Sequence, residues 1–229
     1  PEALRMRIVR TFRLALAAAA VVPMIAGAQA SSKSPRDFDN SWFWGIKGGS
    51  TMITTGASGN EKVSAPTVGG EWLITRKRIA LSIGIDQAFF DNTAAVYDPT
   101  AAGSAREVKI SDLRSYSAGI FFFPLKYGNL RPYAGLGLSI NVIQNADPQG
   151  TYTSTDAQEA VLAEVDDQSS RVSARFTLGA QYQLQRVALF AQAATLPTRN
   201  NFLINGAANT FVLEAGLRFN LLSAIEKLP

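Results

Sequence analysis

Apolar and polar residues alternate one for one in short segments of this chain, a period of two that suits β-strands covered on one face. In residues 79–90, Ile79, Leu81, Ile83, Ile85 and Phe89 share one face, opposite Ala80, Ser82, Gly84 and Asp86. Eight such segments follow one another: 41–55, 65–75, 79–90, 108–123, 131–144, 172–183, 187–196 and 210–221. Polar stretches rich in Gly, Asn, Asp and Pro separate them, as turns and loops require. The segment 187–196 alternates least cleanly, because Phe190 falls on the side of Gln192. In 108–123 the pattern breaks at Asp112 and Arg114, and the half before the break is expected to rise above the rest. After Ala30 no apolar run approaches the roughly 20 residues of a spanning helix.

Alternation leaves two arrangements open. A soluble sandwich or barrel turns its apolar faces inward. A membrane barrel turns them outward to lipid and keeps the polar faces inside. Three features favour the second. Connections alternate in length: 76–78, 124–130 and 184–186 are tight, whereas 56–64, 91–107, 146–171 and 197–209 are longer. The polar faces carry Lys47, Glu71, Asp86, Arg175, Glu214 and Arg218, a set too charged for a soluble core and balanced enough to pair. Trp42, Trp44, Trp72, Tyr182, Phe219 and the run 121–123 lie toward segment ends, where interfacial aromatic girdles form. The expected fold is therefore all-β: an eight-stranded antiparallel up-and-down transmembrane β-barrel with short periplasmic turns and longer extracellular loops. Eight strands leave a lumen just wide enough for side chains to fill, so the six charges are read as a structural ion-pair network.

The N-terminal residues read as a leader. Met6 has the position of a start, with residues 1–5 upstream of it. Arg7, Arg10 and Arg13 precede the apolar run 14–22, and Ala28-Gln29-Ala30 forms an A-x-A cleavage site, the three parts of a secretory signal. The expected organisation is 1–30 upstream residues and cleaved signal, 31–40 periplasmic segment, 41–221 barrel and 222–229 short tail. The net charge of +4 is carried largely by arginines of this leader. Without it the chain is close to neutral and lacks the basic stripe of a nucleic-acid partner.

The segment Arg131-Pro132-Tyr133-Ala134-Gly135-Leu136-Gly137-Leu138 resembles the R/K-P-Y-x-G-x-G element of OmpA/OmpX-like small outer-membrane barrels. Residues 176–190 are similar to their strand-turn-strand unit, with a G-x-x-Y run from Gly179 to Tyr182 and the beginning of an L-F-A segment at Leu189 and Phe190. The last segment, near Phe219, resembles their C-terminal insertion signal, here followed by residues 220–229. The resemblance covers about 42–221. It implies an integral protein of the bacterial outer membrane, in contact with its lipid and lipopolysaccharide and inserted by the barrel-assembly machinery. Its expected role is envelope structure or surface interaction through its loops, with the loop partner left open.

The chain has no His and no Cys, which removes the commonest general base, thiolate metal sites and disulfides. Ser115 and Ser117, beside Tyr116, have no base in evidence, and Glu71 with Asp86 is read as ion-paired. No enzyme activity, catalytic residue, cofactor or metal is expected. Residues 146–171 carry Asp147, Asp156, Glu159, Glu164, Asp166 and Asp167 with no basic residue before Arg171. This reads as a solvated acidic loop containing a short helix at 156–165, capped by Thr155 and Gln158. The alternative is divalent-cation bridging to lipopolysaccharide phosphates. Two other functions remain: a narrow porin-like channel for small solutes, and a soluble periplasmic lipocalin-like barrel holding an apolar ligand.

Overall fold

The computed structural model describes residues 38–55, 61–197, 202–204 and 209–223. The leader lies outside these residues, as does 224–229 of the expected tail. Eight strands close into a barrel: β1 (Ser41–Thr55), β2 (Glu61–Arg76), β3 (Ile79–Tyr97), β4 (Ala105–Phe122), β5 (Leu130–Pro148), β6 (Ser170–Leu184), β7 (Val187–Pro197) and β8 (Asn209–Ser223). Each pairs antiparallel with its chain neighbours, and β1 pairs with β8 to close the ring. One helix, α1 (Thr155–Gln168), stands between β5 and β6. No helix among the described residues is long and apolar enough to cross a membrane.

The apolar faces point outward. Ile83, Leu138 and Leu178 are 46%, 59% and 67% exposed, while Lys47, Glu71, Asp86, Arg175, Glu214 and Arg218 are buried inside. Such an outer surface is costly in water and suited to lipid. The lipocalin-type alternative needs the reverse orientation and is overturned by this one.

Inside, the barrel is layered. At the short-turn end Phe38, Phe43, Leu73, Phe121, Phe123 and Tyr133 form an aromatic cluster. Phe38, which precedes β1, reaches into the mouth and meets Phe123 edge-on at 4.6 Å. Its carbonyl accepts the Thr75 hydroxyl, and the Arg131 guanidinium lies 4.4 Å over its ring. Phe121 and Phe123, expected in the outer girdle, thus face inward, and Phe122 alone of that run is exposed. Gly135 makes room for Phe121: a Cβ there would stand 2.4 Å from that ring.

At the long-loop end the face assignment reverses. Ala94, Val96, Val108 and Ile110 are buried in an aliphatic cluster with Ile53, Leu113 and Ile143. The reversal begins at Asp112, which has a φ of 55°, opposite a register shift between Ala88 and Asp91. A bulge of this kind moves the following residues to the other face. The expected loop 91–107 is accordingly mostly strand, with only 98–104 between β3 and β4. Its alternation runs in the phase of a water-soluble wall, not a lipid-facing one. β5 likewise extends to Pro148 and β8 to Ser223, past the expected limits of 144 and 221.

Helix α1 covers this end with Val161 and Val165, one turn apart, packed into the same cluster as Phe202, Leu203 and Ile204. Leu203 N–H donates to the Gln168 carbonyl, satisfying one of the acceptors left open at a helix C-terminus. The helix is longer than the expected 156–165. Its N-cap is Ser154, whose hydroxyl accepts from Ala157 N–H at 3.2 Å. Ser154 is the residue with extended backbone just ahead of the first turn, the geometry an N-cap needs, so the Thr155–Gln158 box does not form.

The closing seam is tight. A Cβ on Gly49 would stand 1.8 Å from the Leu213 carbonyl oxygen, and one on Gly216 2.1 Å from that of Ile46. Neighbouring Gly48 would meet only the Thr67 oxygen at 3.7 Å. Gly49→Ala is expected to lower the unfolding free energy by about 1–3 kcal/mol through overpacking, with Gly48→Ala close to neutral. Urea titration followed by tryptophan fluorescence measures both. Equal effects would show that the seam is not the constraint.

Candidate functional site

Between the two apolar layers lies a belt of charge. Its members come from the inward positions of β1, β2, β3, β6 and β8, set by the same alternation that turns apolar neighbours outward. Lys47 Nζ lies 2.7 Å from Asp86 and 3.0 Å from Glu214. Arg175 completes a four-charge ring, 3.0 Å from Glu214 and 3.6 Å from Asp86. Arg218 Nε contacts Glu71 Oε1 at 2.5 Å, in a separate pair. The structure thus brings together all six charged residues singled out in the sequence, three cations with three anions.

Four further residues join the belt, and two of them, Gln192 and Tyr133, tie the two groups together. Gln192 donates to Glu214 at 2.7 Å and accepts the Tyr133 hydroxyl at 2.8 Å. Arg218 donates to Gln181 at 2.7 Å and to the Tyr133 hydroxyl at 3.4 Å. Its guanidinium lies 3.9 Å over the Phe190 ring. That contact gives Phe190 an inward role and explains its place on the Gln192 side of β7. Tyr133 stands in the R-P-Y element, and its ring occupies the space that Gly179 leaves empty. Inward parity on each strand was the available signal for all four.

Burying an ion costs several kcal/mol unless charge and hydrogen-bond partners replace water, and each of the six has a partner of opposite sign. The cavity left beside Lys47, Glu71, Arg175 and Gln192 is about 20 Å³, room for about one water. Chemically, the belt is a neutral cross-brace of a filled lumen.

The interface aromatics are placed differently from a two-sided girdle. Trp42, Trp44, Trp72, Tyr182 and Phe219 all lie toward the short-turn end, with Trp44 in register with Trp72 on one side and Phe219 on the other. Outward Phe89 and Phe211 stand toward the opposite end of the belt.

The barrel superposes on Neisserial surface protein A with a TM-score of 0.52 at 12% identity, over 79% of this chain and 97% of that one. This chain has the fold of the small eight-stranded outer-membrane barrels. Two others are similar with lower scores. Ail, the attachment invasion locus protein of Yersinia pestis, has a TM-score of 0.41 at 11% identity, over 80% of this chain and 100% of that one. OprG from Pseudomonas aeruginosa has 0.37 at 12%, over 80% and 94%. The fold assignment rests on the first. No protein-family model and no curated protein matches the chain. In an outer-membrane barrel the short turns are periplasmic and the long connections extracellular, which orients the layers described above.

On the extracellular side, Arg106 is a clamp. Its Nε contacts Asp98 at 2.6 Å, its Nη1 and Nη2 donate to the Gln149 and Thr151 carbonyls, and its guanidinium lies 4.1 Å over Tyr152. It thereby ties the β3–β4 hairpin to the segment leading into α1. The acidic residues of α1 do not converge: among the described residues no three acidic side chains are placed to hold a metal ion. The cation-bridging alternative therefore has no built site there.

Two measurements test these contacts. Arg218→Met is expected to cost about 3–5 kcal/mol by leaving Glu71 buried and unpaired, whereas Glu71→Leu with Arg218→Met should cost far less. A double-mutant cycle in urea decides, and additive losses would show that the pair is not coupled. The Thr100 hydroxyl, then Arg106, hold the Asp98 carboxyl below its ordinary 3.8. A lowered folded-state value gives stabilisation that is complete above the ordinary range and lost as pH falls through the lowered value. Hydrogen-exchange protection factors in 149–170, taken relative to the intrinsic rate at each pH, should hold from about pH 7 to 5 and fall only in stronger acid, with Asp98→Asn lowering them at neutral pH.

Proposed function

We propose that this protein is a non-conducting structural barrel of the outer membrane, serving envelope structure or contacts made at its extracellular surface. The observation that carries this reading is the sealed lumen: an aromatic layer at the periplasmic mouth, a neutral ionic belt at mid-height and an aliphatic layer under α1 at the other end. It supports a filled interior over the porin-like alternative. It also supports a non-enzymatic role, since Glu71, Asp86 and Glu214 are all held by cations and none is left as a general base. A rigid scaffold of this kind leaves function to the loops it presents, here α1 with its outward acidic residues and the Arg106 clamp. Outer-membrane lipid and lipopolysaccharide would surround the apolar belt, and the barrel-assembly machinery would insert it.

Planar-bilayer recording from the pure protein tests this. No steady conductance is expected from the native chain. Steady single-channel currents would overturn the structural reading and favour the narrow channel.

A further inference from the structure

The two ends of the barrel carry opposite charge. At the periplasmic end, Arg76, Lys77 and Arg78 occupy the β2–β3 turn, Lys126 the β4–β5 turn and Arg186 the β6–β7 turn. Asp39 is the one acidic side chain among the described residues of that rim. At the extracellular end, Asp147, Asp156, Glu159, Glu164, Asp166 and Asp167 run without a basic residue before Arg171.

We propose that the periplasmic rim is a binding ring for anionic phospholipid headgroups of the inner leaflet. The inference rests on the membrane-spanning reading above. Three features favour lipid over any other anion. The basic turns recur at alternate strand junctions, so they surround the barrel instead of forming one patch on its end. Arg76, Lys77, Arg78 and Lys126 are exposed and can reach outward along the bilayer surface, as long basic side chains do at an interface. Apolar anchors stand at the same level: Leu125 and Tyr127 flank Lys126 and are 51% and 61% exposed, Ile79 follows Arg78, and Tyr182 and Leu184 precede Arg186. Cation beside aromatic and aliphatic is the composition of a headgroup boundary. Each basic residue at an anionic membrane surface favours binding by about fivefold.

The chain carries its own reporter. Its 3 Trp, Trp42, Trp44 and Trp72, all lie at this end, so lipids around this rim can be read by quenching. The full chain is reconstituted into phosphatidylcholine vesicles containing a fixed minor fraction of brominated phosphatidylglycerol or of brominated phosphatidylcholine. Brominated phosphatidylglycerol is expected to quench several-fold more effectively at low ionic strength. The preference should shrink at high salt and vanish in the Arg76→Gln/Lys77→Gln/Arg78→Gln/Lys126→Gln variant. If that variant does not fold, the salt series on the native chain still decides. Equal quenching by both lipids, or a preference indifferent to salt, would overturn the ring. Equal quenching with salt-sensitive co-sedimentation on isolated cell-wall sacculi would also overturn it, and would assign the rim to an anionic polymer. No quenching by either lipid would overturn membrane insertion itself, a separate failure.

Discussion

Three cations and three anions buried in one narrow lumen cannot stand unpaired, and much of the barrel follows from that requirement. Charges on β1, β2, β3, β6 and β8 meet only if every one of these strands is in register. A slip of one residue on any of them would turn its charge to lipid and its apolar partners to the lumen. The belt therefore acts as a register lock as well as a filler. Tyr133, Gln181 and Gln192 extend it across β5, β6 and β7 by hydrogen bonds, so the constraint reaches most of the circumference.

Above and below the belt the solvent requirements change, and the packing changes with them. At the short-turn mouth the lumen meets water, and aromatic side chains close it around Phe38. At the other end the strands leave the membrane, and lipid no longer rewards an apolar exterior. The wall then needs an ordinary apolar interior, and the bulge at Asp112 supplies the change of phase that puts Val108 and Ile110 inside. One chain thus runs two opposite rules of burial, with the bulge at Asp112 on β4 lying between them.

Helix α1 belongs to that upper region. It is only weakly amphipathic, and two valines hold it to the cluster beneath. The Arg106 clamp and the Leu203–Gln168 hydrogen bond keep its two ends in place. A cap secured in this way presents an ordered acidic surface where the sequence suggested a solvated loop.

The amino-acid sequence by itself determined the eight strands, their inward and outward faces through the membrane and the six charges of the belt. Each of these is a local matter of parity: a residue's neighbours two positions away share its environment. It marked the break at Asp112 on β4, but it read residues 91–107, and with them the upper part of β3, as loop, because apolar residues there alternate in the opposite phase, which has no meaning until lipid has given way to water. It did not separate Phe121 and Phe123 from the outer girdle, since three consecutive aromatics satisfy either face. Ser154 as the cap, Phe190 as the platform for Arg218 and Phe38 as the plug were decided by the tertiary structure. Phe190 and Phe38 depend on partners far along the chain, brought near only when the barrel closes, whereas the cap at Ser154 is local and turns on which residue keeps an extended backbone ahead of the first turn.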